Sequence, residues 1–238
     1  MDASVPSLLI LIHMLLPKLD NNTWSTLAIE SVLIVLSVIL GFLVTEWRQT
    51  QENEDLAQTA KENVLSEIES NYGDVMEAQL YHITLRDTLQ SLDDPTPETV
   101  SRIVSSGFIL SNGSQRAGIV SPANVLGTAW TTAQTTGAIR YLDLGDIQML
   151  SSVYEAQDSY RQHRNWFGQA FMATTLQQGA VGLLGNYRNF DIVLAQFASQ
   201  EQQLLGAYER VLQHFDRTPP SDTLSVERPA APGGLPAR

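Results

Sequence analysis

Hydrophobic positions fall into two regimes along this chain. From Ser31 to Thr45, SVLIVLSVILGFLVT, no residue carries a charge, whereas beyond Trp47 apolar residues recur three and four apart among polar ones. Extended from Leu27 to Trp47, the first regime supplies about 20 helical positions, matching a hydrocarbon core roughly 30 Å thick at 1.5 Å per residue. A transmembrane helix is expected over 26–47. Trp24 and Trp47 bracket it as interface anchors, because amphipathic indoles favour the two headgroup levels.

The second regime reads as one long helix and then several shorter ones. No Pro or Gly interrupts the chain from Glu46 until Gly73. Leu56, Ala60, Val64, Ile68, Tyr72, Val75 and Gln79 step by four or three, which draws one face of a helix. The opposite face carries Glu62, Glu69 and Asp87 and is expected in solvent. This stalk, 48–92, ends at Asp93-Asp94-Pro95-Thr96-Pro97, and Pro97 with Glu98 opens a short helix through Val104. Between Gly107 and Val120 the periodicity lapses into an expected loop, with Asn112-Gly113 a turn signal. Ser121 and Pro122 read as N-cap and first residue of another helix, closed by Gly137.

Leu142 to Asp146 then introduces a long helix through Ile147, Leu150, Tyr154, Gln157 and Arg161. Its Trp166, Phe167 and Phe171 imply a buried aromatic side. The last helix is the cleanest amphipathic pattern: Phe190, Val193, Leu194, Phe197, Leu204, Tyr208, Val211, Leu212 and Phe215, interrupted by one charge, Glu201. An unpaired buried carboxylate is costly, so Glu201 is expected at the edge of the contact or bonded to a partner. No alternating strand pattern stands out. The expected fold is all-α: an N-terminal transmembrane helix continuing into the stalk, an antiparallel helical bundle completing a soluble domain over 48–217, and a disordered Pro-rich tail over 218–238.

Charge sharpens this picture without changing it. The 238 residues carry a formal charge of −12, and Glu46 to Glu98 holds thirteen acids against Arg48, Lys61 and Arg86. An acidic surface repels polyphosphate, so no nucleic-acid partner is expected. There is no cysteine, which removes disulfides and thiol chemistry. Leu8 to Leu16, LLILIHMLL, looks like a short signal-peptide core. Asp2 stands where a basic region belongs, however, and Pro17 to Asp20 makes a poor cleavage site, so residues 1–25 are read as an apolar, interfacial segment, with a cleaved or re-entrant segment as the alternatives. Lys18 on one side of the span nearly balances Arg48 and the more distant Lys61 on the other, and charge alone leaves orientation open.

Two blocks of residues carry a resemblance. Glu30 at the entrance of the span, Gly41 inside it, Trp47-Arg48 after it and Ser66-Glu67-Ile68-Glu69-Ser70-Asn71 form the first. Thr128 to Ala138, TAWTTAQTTGA, leading to Val153-Tyr154-Glu155-Ala156-Gln157, forms the second. Together they resemble a family of small bacterial single-span membrane proteins of unknown function. The resemblance covers about half of the chain and implies an inner-membrane location, a cytoplasmic N-terminus and a periplasmic helical domain. It implies no activity. This chain has only Lys18 where those N-termini tend to be strongly basic.

Candidate chemistry is sparse. Ser37 and Gly41 each fall within about 20° of Glu30 around the helix, and the three form a small polar stripe suited to a membrane helix contact, within a homo-oligomer or with a larger membrane protein, with Glu30 at headgroup level in water as the alternative. His13, His82, His163 and His214 make no ligand pair at helical spacing. Glu155 with Asp158, and Glu67 with Glu69 and Asp74, read as solvated carboxylates rather than a cation site. No Gly-x-Ser-x-Gly elbow or phosphate loop is present. No catalytic residue, metal or cofactor is expected. Trp130, Gln134, Tyr154 and Gln157 remain as a possible pocket, with core packing as the alternative. The expectation is a non-catalytic, membrane-anchored helical protein of the bacterial envelope acting as an interaction or scaffold subunit. The alternative is a periplasmic small-ligand sensor signalling through a separate partner.

Overall fold

A computed structural model describes residues 21–92, 96–110, 112–185, 187–220 and 226–227. In chain order the elements are α1 (Asn21–Gln90), α2 (Pro97–Ser106), β1 (Phe108–Leu110), β2 (Gln115–Arg116), α3 (Thr128–Thr135), a 3-10 turn (Ala138–Tyr141), α4 (Leu144–Gly185), α5 (Tyr187–His214) and β3 (Val226–Glu227). The protein is mainly helical. It divides into two compact units, Met1–Asp55 and Leu56–Arg238. The apolar run Leu8 to Leu16 and most of the Pro-rich tail lie outside the described residues.

In the first unit α1 carries no charged side chain over residues 31–45. Its most hydrophobic 18-residue window has a mean hydropathy of 2.7, and none of that window is buried. Phe42 is 71% exposed, and Trp24 and Trp47 are exposed as well. The few hydroxyls turn back onto their own helix: Ser31 donates to the Leu27 carbonyl (2.8 Å), Ser37 to Leu33 (2.7 Å) and Thr45 to Gly41 (2.9 Å). This leaves no hydroxyl proton of those residues seeking water. Among the described residues α1 is the one helix long and apolar enough to cross a membrane.

The second unit is a bundle of the Leu56–Gln90 part of α1 with α4 and α5. Val64, Leu65, Ile68, Tyr72, Val75 and Ala78 of α1 pack with Leu150, Val153, Tyr154 and Tyr160 of α4 and with Phe197, Leu204, Tyr208, Val211 and Leu212 of α5. A second cluster continues along α1 through Tyr81, Leu85 and Leu89, against Val100 and Val104 of α2, Phe108 of β1, and Phe190 and Leu194 of α5. Fully burying each large side chain contributes about 1.5 to 3 kcal/mol, so the α5 face that the spacing marks out is a main source of cohesion.

Polar bonds between helices fix their directions. Tyr72 bonds Glu209, Gln79 bonds Gln202 and Arg86 bonds Asp191, so α1 and α5 run antiparallel. Lys61 faces Asp146 and Glu67 bonds Tyr154, so α1 and α4 run parallel. The bundle is therefore mixed, not wholly antiparallel as expected. A long connection, 97–143, carries the chain back before α4 begins, which a parallel pair requires.

That connection departs most from the sequence reading. Thr96 caps α2, its Oγ1 accepting from Thr99 N–H (3.2 Å) behind Pro97. Gly107 ends α2 at φ 64°, where a side chain would strike the Arg116 carbonyl and Ala117. The stretch expected as a loop then forms a hairpin: β1 pairs antiparallel with β2 and, on its other edge, with β3. Three residues, Phe108 and Leu110 inward and Ile109 outward, are too short an alternation to stand out in a sequence. Glu77 of α1 anchors the turn by accepting from Asn112 and from Ser114 Oγ (3.0 Å). Val226–Glu227, inside the tail expected to be disordered, lies on β1.

Helix α3 starts at Thr128, not at Ser121. Backbone N–H groups of Ser121, Ala123 and Leu126 are taken by the side chains of His82, Tyr160 and Asn71, and this holds the segment extended across the bundle. The aromatic side expected on α4 divides. Phe167 packs edge-on against Phe197 (5.3 Å), Trp166 is exposed, and the side chain of Phe171 lies outside the described residues.

Candidate functional site

The most structured polar arrangement lies where α3 meets α1 and α4. Gly127 precedes α3 and has no side chain to cap it. Glu67 of α1 does this instead. Its Oε2 accepts from Thr128 Oγ1 (2.7 Å) and Ala129 N–H (2.9 Å), and its Oε1 accepts from Tyr154 Oη (2.8 Å). A carboxylate at a helix N-terminus is stabilised by the exposed N–H groups and the helix dipole. One turn on, Asn71 grips Leu126 twice, its amide donating to the carbonyl and accepting the N–H, both at 2.8 Å. Glu67 is thus buried, contrary to the solvated role expected of it. Periodicity places it beside the apolar stripe, and only the approach of α3 closes it off.

A second buried carboxylate sits deeper. Glu201, with no exposure, accepts from Tyr160 Oη (2.9 Å) and bonds His82 Nδ1 (2.9 Å). His82 Nε2 receives the Ser121 N–H (3.1 Å). A backbone N–H cannot accept, so this partner fixes Nε2 as the acceptor and puts the ring proton on Nδ1, facing Glu201. The expectation that Glu201 would find a partner is met by a residue in which the spacing of histidines revealed nothing. Tyr160 also accepts the Ala123 N–H (2.9 Å), which ties the extended segment to the same network.

Electrostatics follow burial. The Tyr154 phenol is pushed far above its ordinary range, first by desolvation and then by the hydrogen bond and charge of Glu67. Tyr160 is raised likewise, by burial first and by Glu201 next. Both remain protonated donors throughout the neutral range. Burial lowers His163. Every oxygen of Glu67 and Glu201 accepts an internal hydrogen bond, so neither carboxylate faces solvent as an available base.

Three of the four expected pocket residues come together. Trp130 and Tyr154 stack nearly parallel, centroids 5.2 Å apart and planes 8° from each other. With Gln134, Glu155, Asp158 and Arg161 they line a cleft of about 330 Å³ between α3 and α4. Gln157 lies beneath it, wholly buried, its Oε1 accepting from Arg161 Nη2 (3.2 Å). Gly137, in the left-handed region at φ 77°, closes α3 as expected of it. Arg161 is the residue that sequence reasoning passed over. Its place one turn after Gln157 was the available signal.

The other expected sites are placed but not joined. Glu30, Ser37 and Gly41 lie on the exposed apolar part of α1, and a side chain added at Gly41 would meet nothing within 4 Å. The acids considered for a cation diverge: Glu67 turns to α3, Glu69 to Arg217 (3.4 Å) and Asp74 to Arg116 (3.6 Å). Among the described residues no group of three or more His, Asp or Glu side chains is arranged to hold a metal ion.

The two resemblance blocks meet in space, since Glu67 of the first binds Thr128 and Ala129 at the head of the second, and Asn71 binds Leu126 just before it. Comparison of the chain with protein-family models, with curated proteins and with solved structures gave no match.

Proposed function

We propose that this protein is a membrane-anchored, non-catalytic helical protein of the bacterial envelope that serves as an interaction or scaffold subunit. The observation that supports it is the contrast within α1. A fully exposed apolar window calls for lipid, while the bundle commits its buried acids to internal bonds and leaves none as a reactive group. In this reading α1 spans the inner membrane once, with a cytoplasmic N-terminus and a periplasmic bundle, as the resemblance implies. Glu30, Ser37 and Gly41 meet a second copy or a larger membrane protein, because small side chains let helix backbones approach closely.

Retention of the chain in vesicles after an alkaline carbonate wash tests the anchor. A periplasm-only reporter fused after Arg217 should be active, and activity of a cytoplasm-only reporter there would reverse the orientation. Crosslinking in the native membrane should capture a defined partner or a dimer, weakened by Gly41→Leu. Unchanged crosslinking in that variant would remove the stripe from the contact.

The cleft over Trp130 and Tyr154 favours a second reading, a periplasmic small-ligand sensor acting through a separate output partner.

A further inference from the structure

We propose that the cleft between α3 and α4 binds a small zwitterion of the α-amino-acid class, with its carboxylate on Arg161 and its ammonium group between Glu155 and Asp158. This deepens the ligand-sensor reading and rests on it. Size comes first: a volume of about 330 Å³ stands near the lower end for small-molecule sites, so the occupant is small.

The inner end of the cleft is marked by the Arg161 guanidinium. Arg161 Nη2 bonds Gln157 Oε1 (3.2 Å) and Asp158 Oδ1 (3.4 Å), but Arg161 Nε is buried and bonds nothing among the described residues. Beneath it Gln157, with no exposure, has its oxygen engaged by Arg161 and its amide beside the Tyr208 hydroxyl, and neither Gln157 nor Tyr208 lines the cleft. Buried polar groups without partners are uncommon, and a guanidinium with an unbonded N–H has donor capacity left for an acceptor. Gly127 keeps one flank of the guanidinium open, since a Cβ there would stand 3.1 Å from Nη2 and 3.5 Å from Nη1. A carboxylate is the acceptor that a guanidinium binds best, through two parallel N–H donors.

The rim has the opposite character. Glu155 is exposed, and Asp158, 65% exposed, makes only the 3.4 Å approach to Arg161; the two stand three residues apart on one face of α4. Two negative groups against one positive disfavour a simple anion such as acetate or phosphate. A ligand with a carboxylate at one end and an ammonium at the other satisfies both. The stacked pair of Trp130 and Tyr154 offers an apolar wall for its side chain, and the Gln134 amide stands at the edge.

The test is calorimetric titration of the full-length protein in detergent micelles with each standard α-amino acid, with the N-acetyl and carboxamide derivatives of any that bind, and with glucose as an uncharged probe. At least one free amino acid should bind saturably, and blocking either end should weaken it about tenfold or more. Arg161→Gln should do the same. Glu155→Gln, which touches no described partner, should weaken binding less, and Gly127→Ala should weaken it by crowding the guanidinium; circular dichroism checks that each variant is folded. Equal binding of the carboxamide and the free acid, or binding indifferent to both Arg161→Gln and Glu155→Gln, would overturn the assignment. So would silence from every amino acid. If glucose then binds and Gly127→Ala weakens it, the sensor reading survives with another ligand class; if glucose is silent too, that reading falls with the assignment.

Discussion

One helix, α1, follows opposite rules in its two parts. Over Trp24–Asp55 its large apolar side chains point outward and its hydroxyls bond back to their own turn. Over Leu56–Gln90 the apolar side chains turn inward, and three polar ones, Glu67, Asn71 and His82, are buried with them, each bonded to a residue at least 39 positions away. The backbone conformation is the same in both. What differs is the surroundings the side chains must satisfy: a helix with no protein neighbour keeps its polar groups to itself, while a packed helix can bury them if others supply partners.

The largest test removes such a partner. Glu201→Ala leaves His82 Nδ1–H and the Tyr160 hydroxyl unmet in the core and should cost about 3 to 5 kcal/mol in urea unfolding of the micelle-bound protein, without altering membrane retention. A loss below about 1 kcal/mol would mean that the buried network adds nothing to the bundle. The mirror experiment is Val38→Arg, which should cost about 2.5 to 3.5 kcal/mol of insertion and lower the membrane-bound fraction while leaving bundle stability unchanged. Destabilisation of the bundle instead would mean that the two parts of α1 do not obey separate rules.

Alkali separates the parts more gently. Tyr154 and Tyr160 have folded values raised above the ordinary value near 10, so their contribution is fully present below about pH 10 and is lost as pH rises through the folded values. Bundle stability followed by near-ultraviolet circular dichroism should hold from about pH 7 to about pH 10 and fall above it. The chain should stay with the membrane throughout.

The smallest effect belongs to the rim. Asp191 is lowered chiefly by its hydrogen bond with Arg86, so its stabilisation is present above the unfolded value near 3.9 and is lost as pH falls through the folded one. The pair is about two-fifths exposed (39% and 41%), and solvent screening should hold Asp191→Asn to under about 1 kcal/mol. A larger loss would show that the interhelical rim rivals the buried network.

How far the sequence reaches is clearest on α5 and least clear between Gly107 and Gly127. Phe197, Leu204, Tyr208, Val211 and Leu212 are buried as their three-and-four spacing implies, because one face of a regular helix can only be satisfied by a neighbour. In the connection, β1 is three residues long and the segment after it is held by side chains from α1 and α4, so nothing local announces either. The possible pocket was half legible. Trp130 and Tyr154 are distinctive residues in distinctive surroundings, but their stacking, and the placing of Arg161 beside them, depend on how α3 settles against α4.

By itself the order of residues determined the helical character of α1, α4 and α5, which stretch is long and apolar enough to cross a membrane, and which face of α5 turns inward, since all three follow from side-chain period and composition within a few turns. Tertiary structure decided that α1 and α4 lie parallel, that Glu67 caps a helix 61 residues away, and that His82 and Glu201 meet in the core. Those outcomes require groups far apart in the chain to satisfy one another's hydrogen bonds away from water, and no local pattern encodes which distant donor a buried acceptor will find.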